Sequence, residues 1–183
     1  MAKKVIIVLA EGFEEIEAVT VIDILRRAGI ETIVAGLEDL SVQGSHGITL
    51  AADVRLDEAG DDFDACVFPG GMPGSSHLGC SEKVQELIQK MHREKKIIAA
   101  ICASPALLLA PTGILKKKKA TCYPGMQKHF DQDTSYTTND VEIDENIITS
   151  RGPATALAFG LAIVEKLIGK ETVGKIKKDV LAG

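Results

Sequence analysis

The sequence predicts an α/β fold, a mainly parallel central sheet flanked by helices on both faces. Two observations carry this expectation: strand-like runs alternate with helical patterns along the chain, and those runs are apolar throughout rather than at every second position. Parallel strands joined by helical crossovers are covered on both sides, so their side chains must be apolar in both directions.

The first run is VIIVLA. It is followed by EEIEAVTVIDILRRAG, with apolar residues at helical spacing and Gly29 as its stop, and then by IETIVAG, which together read as a βαβ unit. The segment SVQGSHGITLAADVRL has glycines and alternating residues suited to a hairpin or an excursion from the main sheet. The α/β pattern resumes with DACVFPGG, the helix SEKVQELIQKMHRE, the run KKIIAAIC and a helix opened by Pro105. KKKKATCY is expected to lead from a solvated turn into another strand. SYTTNDVEIDENIITS reads as a hairpin turning at Asp144 to Asn146, and GPATALAFGLAIVEKLIG and a short helix after Lys170 complete the chain.

No linker, repeat or low-complexity stretch interrupts the 183 residues, and a 45% hydrophobic content fills one core, so a single domain over residues 1–183 is expected. The net charge of −5 comes from 26 acidic and 21 basic residues spread along the chain. No basic face asks for nucleic acid or an anionic membrane, and a small, roughly neutral partner fits better. The apolar stretch Val5 to Ala10 is too short for a secretory signal and runs straight into carboxylates. Nothing reaches the roughly 20 apolar residues needed to span a bilayer, so a soluble, cytoplasmic protein is expected. Cys66, Cys80, Cys102 and Cys122 lie 14, 22 and 20 positions apart without a C-x-x-C pair, and read as reduced thiols rather than a disulfide framework or a zinc tetrathiolate.

Ligands of open parallel sheets bind beyond the carboxyl ends of the strands. Three segments sit there: EGFEEIE, GGMPGSSH and the turn that holds Cys102. Cys102 follows a strand and precedes Pro105, a residue suited to the first turn of a helix, which is the layout of a nucleophile elbow. The helix terminus is expected to favour thiolate and lower the thiol pKa. Gly70 and Gly71 let the backbone turn tightly and leave amides free for an oxyanion. Glu11, Glu14 and Glu15 suit the start of a helix, where carboxylates are favoured. Glu17 lies among Ile16, Ala18 and Val19, so it can point over the sheet end as a partly desolvated proton carrier beside the thiol.

The runs LAEGFEEIEAV, IDILRRAGI, FPGGMPGS, IIAAICASPALLL and ITSRGPATALAFGLAIVEKLIGK together resemble the ThiJ/PfpI superfamily, in particular the branch of the parkinsonism-associated deglycase and its bacterial relatives. The resemblance spans essentially the whole chain. It implies a flavodoxin-like three-layer sandwich and a homodimer, with Cys102 as the reactive cysteine and Glu17 as the carboxyl that hydrogen-bonds it. It places the amides of Gly71 and Ala103, with Gly70 beside them, against a bound oxygen. Arg151, Gly152 and Pro153, together with Arg27, fall on the dimer side. It implies no metal and no cofactor. The activity implied is that of a cofactor-independent cysteine enzyme, of glyoxalase III or protein deglycase type, acting on α-oxoaldehydes or early glycation adducts under carbonyl and oxidative stress. The alternatives are a redox sensor or redox-regulated chaperone working through oxidation of Cys102, and a PfpI-type cysteine peptidase.

Two departures bear on these expectations. Where many relatives carry histidine in a T-x-H-P-like turn, this chain has TCYP, with Tyr123 at that position and Cys122 beside it. A phenol of pKa about 10 is no base near neutrality, which counts against the peptidase and leaves Cys122 and Tyr123 as pocket candidates. His77 in the glycine loop is a further candidate, while His46, His92 and His129 read as peripheral. Ser104, where relatives often have glycine, is expected to cap the helix or line the pocket. A glutamine-amidotransferase triad would need a suitable H-x-E, which this chain lacks.

Overall fold

The computed structural model describes residues 3–182. In chain order the first elements are β1 (Lys4–Leu9), α1 (Glu15–Arg27) and β2 (Glu31–Gly36). The excursion follows as β3 (Ser41–Gln43), β4 (Thr49–Ala51) and β5 (Val54–Arg55). Next come β6 (Ala65–Phe68), α2 (Gly74–Cys80), α3 (Glu82–Arg93), β7 (Ile97–Ile101), β8 (Lys119–Ala120) and β9 (Ser135–Tyr136). The chain closes with β10 (Val141–Asp144), β11 (Ile147–Ser150), α4 (Ala156–Ile168) and α5 (Lys170–Asp179).

The main sheet has seven strands in the order β10-β11-β7-β6-β1-β2-β5. Every neighbouring pair is parallel except the β10–β11 hairpin at one edge. Strand parity divides the core in two. Val5, Ile7 and Leu9 of β1 join Ala65 and Val67 of β6 in a cluster with α1, α4 and α5. Ile6 and Val8, with Cys66 and Phe68, enter a second cluster under α3 and the helix after Cys102. These are the two covered faces expected of uniformly apolar strands, and each Val or Ile so buried contributes about 1.5–3 kcal/mol. Helices α1 and α4 share one layer and pack closely because Gly160 has no side chain: a Cβ there would stand 3.3 Å from two carbons of Ile24.

The predicted elements recur with small differences. Gly29 ends α1 at φ +71°, a left-handed conformation that favours glycine. The excursion pairs β3 with β4 antiparallel, and β5 then returns to the sheet alongside β2. Two segments differ from expectation. GGMPGSSH is not a plain loop, since its second half is α2, and SYTT does not extend the β10–β11 hairpin but pairs through β9 with the two-residue β8. Pattern alone did not show either, because both elements are short and their residues are mostly polar or small. No helix of the described residues is long and apolar enough to cross a membrane.

Candidate active site

Strand β7 delivers Cys102 to a sharp turn, where its backbone adopts φ +65°. A cysteine gains nothing from that left-handed conformation, which costs of order 1–3 kcal/mol unless its surroundings enforce it. They do so from two sides. The Cys102 amide donates to the Ser150 carbonyl at 2.9 Å, and its own carbonyl accepts from the Tyr123 amide at 2.8 Å. The chain then enters a helical segment in which Pro105–Leu109 form a wide π-type turn.

Glu17 comes to the thiol from the first turn of α1 and is fully buried. Its Oε2 accepts from the Gly70 amide at 2.7 Å, while Oε1 is buried without a hydrogen-bond partner among the described residues. Gly70 must be glycine, for a Cβ there would lie 2.7 Å from Glu17 Oε2 and 3.0 Å from Cys102 Sγ, which shows that both groups line one small volume. Gly71, at φ +95°, has no room for a side chain either, since a Cβ would collide with the backbone of Gly12, Phe13 and Glu14. The Glu14 amide donates to the Gly70 carbonyl at 2.9 Å, tying the β1–α1 loop to the loop after β6.

Burial pushes the Glu17 carboxyl up to about 7; the Gly70 amide and Cys102 pull it down and Glu14 adds to the rise. The Cys102 thiol is also pushed up, first by burial and then by the Glu17 carboxylate, against a downward pull from the amides of Gly71 and Ala103. This corrects the expectation of a lowered thiol. Desolvation and a neighbouring anion outweigh the partial positive charge of the turn. The two groups are coupled: an ionised Glu17 holds the proton on the thiol, and a protonated Glu17 removes that part of the rise while burial remains.

Other expected residues are placed differently. Ser104 is buried and does not cap the helix: its hydroxyl donates to the Pro69 carbonyl at 2.6 Å and pairs with the Ser75 hydroxyl at 3.0 Å. The hydroxyl is held by the glycine loop, so it neither caps nor waits for substrate. His77 is exposed on α2 and faces a cavity of about 860 Å³ whose lining includes Glu11 and Cys80 but neither Cys102 nor Glu17. It is therefore not a wall of the thiol's pocket. Cys122 is fully buried, and burial pushes its thiol up to about 12. Tyr123 is 49% exposed and supports the turn through its backbone.

Arg27 is exposed and paired with Asp23 at 2.6 Å. Arg151 is half-buried, with its Nε lacking a partner among the described residues, and Pro153 opens a 3-10 turn before α4. His129 is exposed, as expected of a peripheral histidine, whereas His92, in the last turn of α3, is half-buried, with its Nδ1 buried and without a partner among the described residues. His46 is exposed as expected, but it is not without partners. Its Nδ1 lies 2.9 Å from Glu15 Oε2, and its amide donates to Glu15 Oε1 at 2.6 Å. Sequence reading missed this contact and also Ser75, because the partners are 31 and 29 positions apart without a shared motif.

Comparison with known proteins agrees with this architecture. The profile of the DJ-1/PfpI family matches residues 3–166. The chain is 44% identical over 180 residues to Protein DJ-1 homolog B of Arabidopsis thaliana, covering 97% of this chain but 41% of that longer protein. It is 35% identical to the Glutathione-independent glyoxalase DJR-1.2 of Caenorhabditis elegans, covering 93% of this chain and 91% of that one. The crystal structure of Drosophila melanogaster DJ-1beta superimposes with a TM-score of 0.96 at 41% identity, covering the whole of both chains. On sequence and on a shared flavodoxin-like sandwich, the chain belongs to the DJ-1/PfpI family.

Proposed function

We propose that this protein is a cofactor-independent cysteine enzyme that converts α-oxoaldehydes, free or as early glycation adducts, into 2-hydroxy acids. The observation that carries this reading is the buried Cys102–Glu17 pair, with a carboxyl raised to about 7 beside a thiol addressed by the Gly71 and Ala103 amides. Such a carboxyl can both accept and return a proton near neutrality, as general acid–base chemistry requires. The name of the worm relative, a glutathione-independent glyoxalase, supports the same class of reaction.

The chemistry balances without an external oxidant. Cys102 sulfur bonds to the aldehyde carbon as its proton passes to Glu17, and the new alkoxide, held by the Gly71 and Ala103 amides, takes that proton back from Glu17 to give the hemithioacetal and an ionised carboxylate. Glu17 then removes hydrogen from that carbon and the proton is returned at the adjacent ketone carbon. The first carbon is thereby oxidised to a thioester and the second reduced to an alcohol. Water cleaves the thioester, releasing the hydroxy acid and restoring the thiol. On a glycated amine or thiol, Cys102 sulfur displaces that group from the carbinol carbon, the group leaving with the thiol's proton passed on by Glu17, and the same steps then follow from the hemithioacetal.

The test is turnover. Purified protein given methylglyoxal should form lactate, and Cys102→Ser and Glu17→Gln should each reduce the rate by at least about a hundredfold, the range expected for loss of nucleophilic or acid–base groups. Lactate formation unchanged in Cys102→Ser would sink the proposal. A second reading, redox sensing or redox-regulated chaperoning, is favoured by the partnerless Glu17 Oε1, since a protonated carboxyl there can donate to a sulfinate on Cys102. Its mark would be selective oxidation of Cys102 by dilute peroxide, seen by mass spectrometry, in a protein without turnover.

A homodimer belongs to the same proposal. Ile16 and Val19, 57% and 45% exposed and one turn apart on α1, offer apolar surface that a second copy would cover.

A further inference from the structure

We propose that Glu14, Glu15 and His46 form a binding site for a divalent transition-metal cation of the zinc type, separate from the thiol. The three residues come from two places in the fold. Glu14 and Glu15 open α1, and His46 sits in the connection between β3 and β4, which the Ser45 amide fastens to the Phe13 carbonyl at 2.8 Å.

Their donor atoms already converge. His46 Nδ1 lies 2.9 Å from Glu15 Oε2 and 3.5 Å from Glu14 Oε2, and one ligand atom from each of the three residues falls within 4.8 Å of the others. Ser45 Oγ closes the group, at 3.4 Å from Glu14 Oε2, 3.3 Å from Glu15 Oε2 and 3.1 Å from His46 Nδ1. Ligands held about 2.0–2.2 Å from a tetrahedral ion stand roughly 3.4 Å from one another, and the two distances from His46, 2.9 and 3.5 Å, lie on either side of that. An ion at the centre would take His46, Glu14 and Glu15, with Ser45 or a water in fourth place.

Two further observations favour a cation over a purely structural cluster. The Glu14 carboxylate belongs to a residue only 8% exposed, yet its one hydrogen bond among the described residues is the long contact from Ser45 Oγ. Two buried carboxylates side by side need positive charge; His46 supplies it only when protonated, and with a neutral imidazole a bound cation is the group that can. The Glu15 carboxylate is in addition oriented like a metal ligand: Oε1 accepts from the amides of His46 and Ile48 at 2.6 and 3.3 Å, which aims Oε2 at the centre. Gly44 makes the approach possible, since a Cβ there would strike the Glu15 carboxylate. Imidazole and carboxylate donors without thiolate select zinc and its neighbours over softer ions.

The test is calorimetric titration of the chelator-treated full chain with zinc chloride, with cobalt(II) as a spectroscopic probe. One zinc per chain is expected. His46→Ala and Glu14→Gln should weaken binding by at least about tenfold, whereas Cys102→Ser and Cys80→Ser should bind as the wild type does. Cobalt should give the visible bands of a tetrahedral nitrogen–oxygen site without a thiolate charge-transfer band. Zinc should also raise the melting temperature of the wild type but not of His46→Ala, whose exposed side chain can be removed without disturbing the core. Absence of zinc binding, unchanged binding in His46→Ala, loss of binding in either cysteine variant, or a thiolate band from cobalt would each overturn the site.

Discussion

At Cys102 and Glu17 the fold stores two costs, a left-handed backbone and a desolvated carboxyl, within one small volume. The carboxyl has a consequence for stability. Its pKa is about 7 in the folded chain against 4.5 for an unperturbed glutamate, so between these values the folded state binds more protons than the unfolded one. Stability therefore falls as pH rises from 4.5 to 7 and levels off above it, by on the order of 3 kcal/mol from this residue. Urea unfolding at several pH values in chelator-containing buffer should show that decline, and Glu17→Gln should flatten it. A profile identical in wild type and Glu17→Gln would mean that the carboxyl is not held protonated. Gly70→Ala should be costly for a different reason, since the new methyl group would occupy space claimed by the thiol and the carboxyl. Loss of lactate formation with a cooperative melting transition still present is the expected result.

Among the elements, the thiol turn depends on the loop after β6 and on α2. Ser104 and Ser75 share a hydrogen bond, and Ser104 also satisfies the buried Pro69 carbonyl. Ser104→Ala leaves that carbonyl without its donor and should lower unfolding free energy by about 1–3 kcal/mol, measured by denaturant titration. A change below a few tenths would show that another donor takes over. Across the other face, α1 and α4 meet at Gly160. Gly160→Val would drive a branched side chain into Ile24 and should destabilise by about 1–3 kcal/mol through overpacking, read as a lower melting temperature. Because α1 carries Glu17, that variant is also expected to lose turnover more than its loss of stability accounts for.

For the molecule as a whole, the seven-stranded sheet brings the ends of β1, β6 and β7 side by side, and the segments leaving them hold Glu17, at the start of α1, Gly70 and Cys102. Light scattering should report a particle of twice the 19.5 kDa chain mass, and Ile16→Glu combined with Val19→Glu should shift it toward one chain. A wild-type protein measured at the mass of a single chain would remove the dimer from the proposal.

The alternation of apolar runs and helical patterns was enough to read the layered fold, because a sheet buried on both faces imposes its periodicity on residues close in sequence. Glu17 and Cys102 were legible for a similar reason: each is set beside a strand end by a local turn, and Gly70 and Gly71 mark the third such turn. Contacts between distant segments were not legible. The pattern could not reveal that Ser104 answers to Pro69, that His77 faces another cavity, or that His46 meets Glu14 and Glu15. Nor could it give the direction of the Cys102 shift, which depends on desolvation and on a carboxylate brought in from α1. Periodicity records which way a side chain points from its own element, whereas these interactions depend on what another element places there, and that is decided when the sheet and its helices pack.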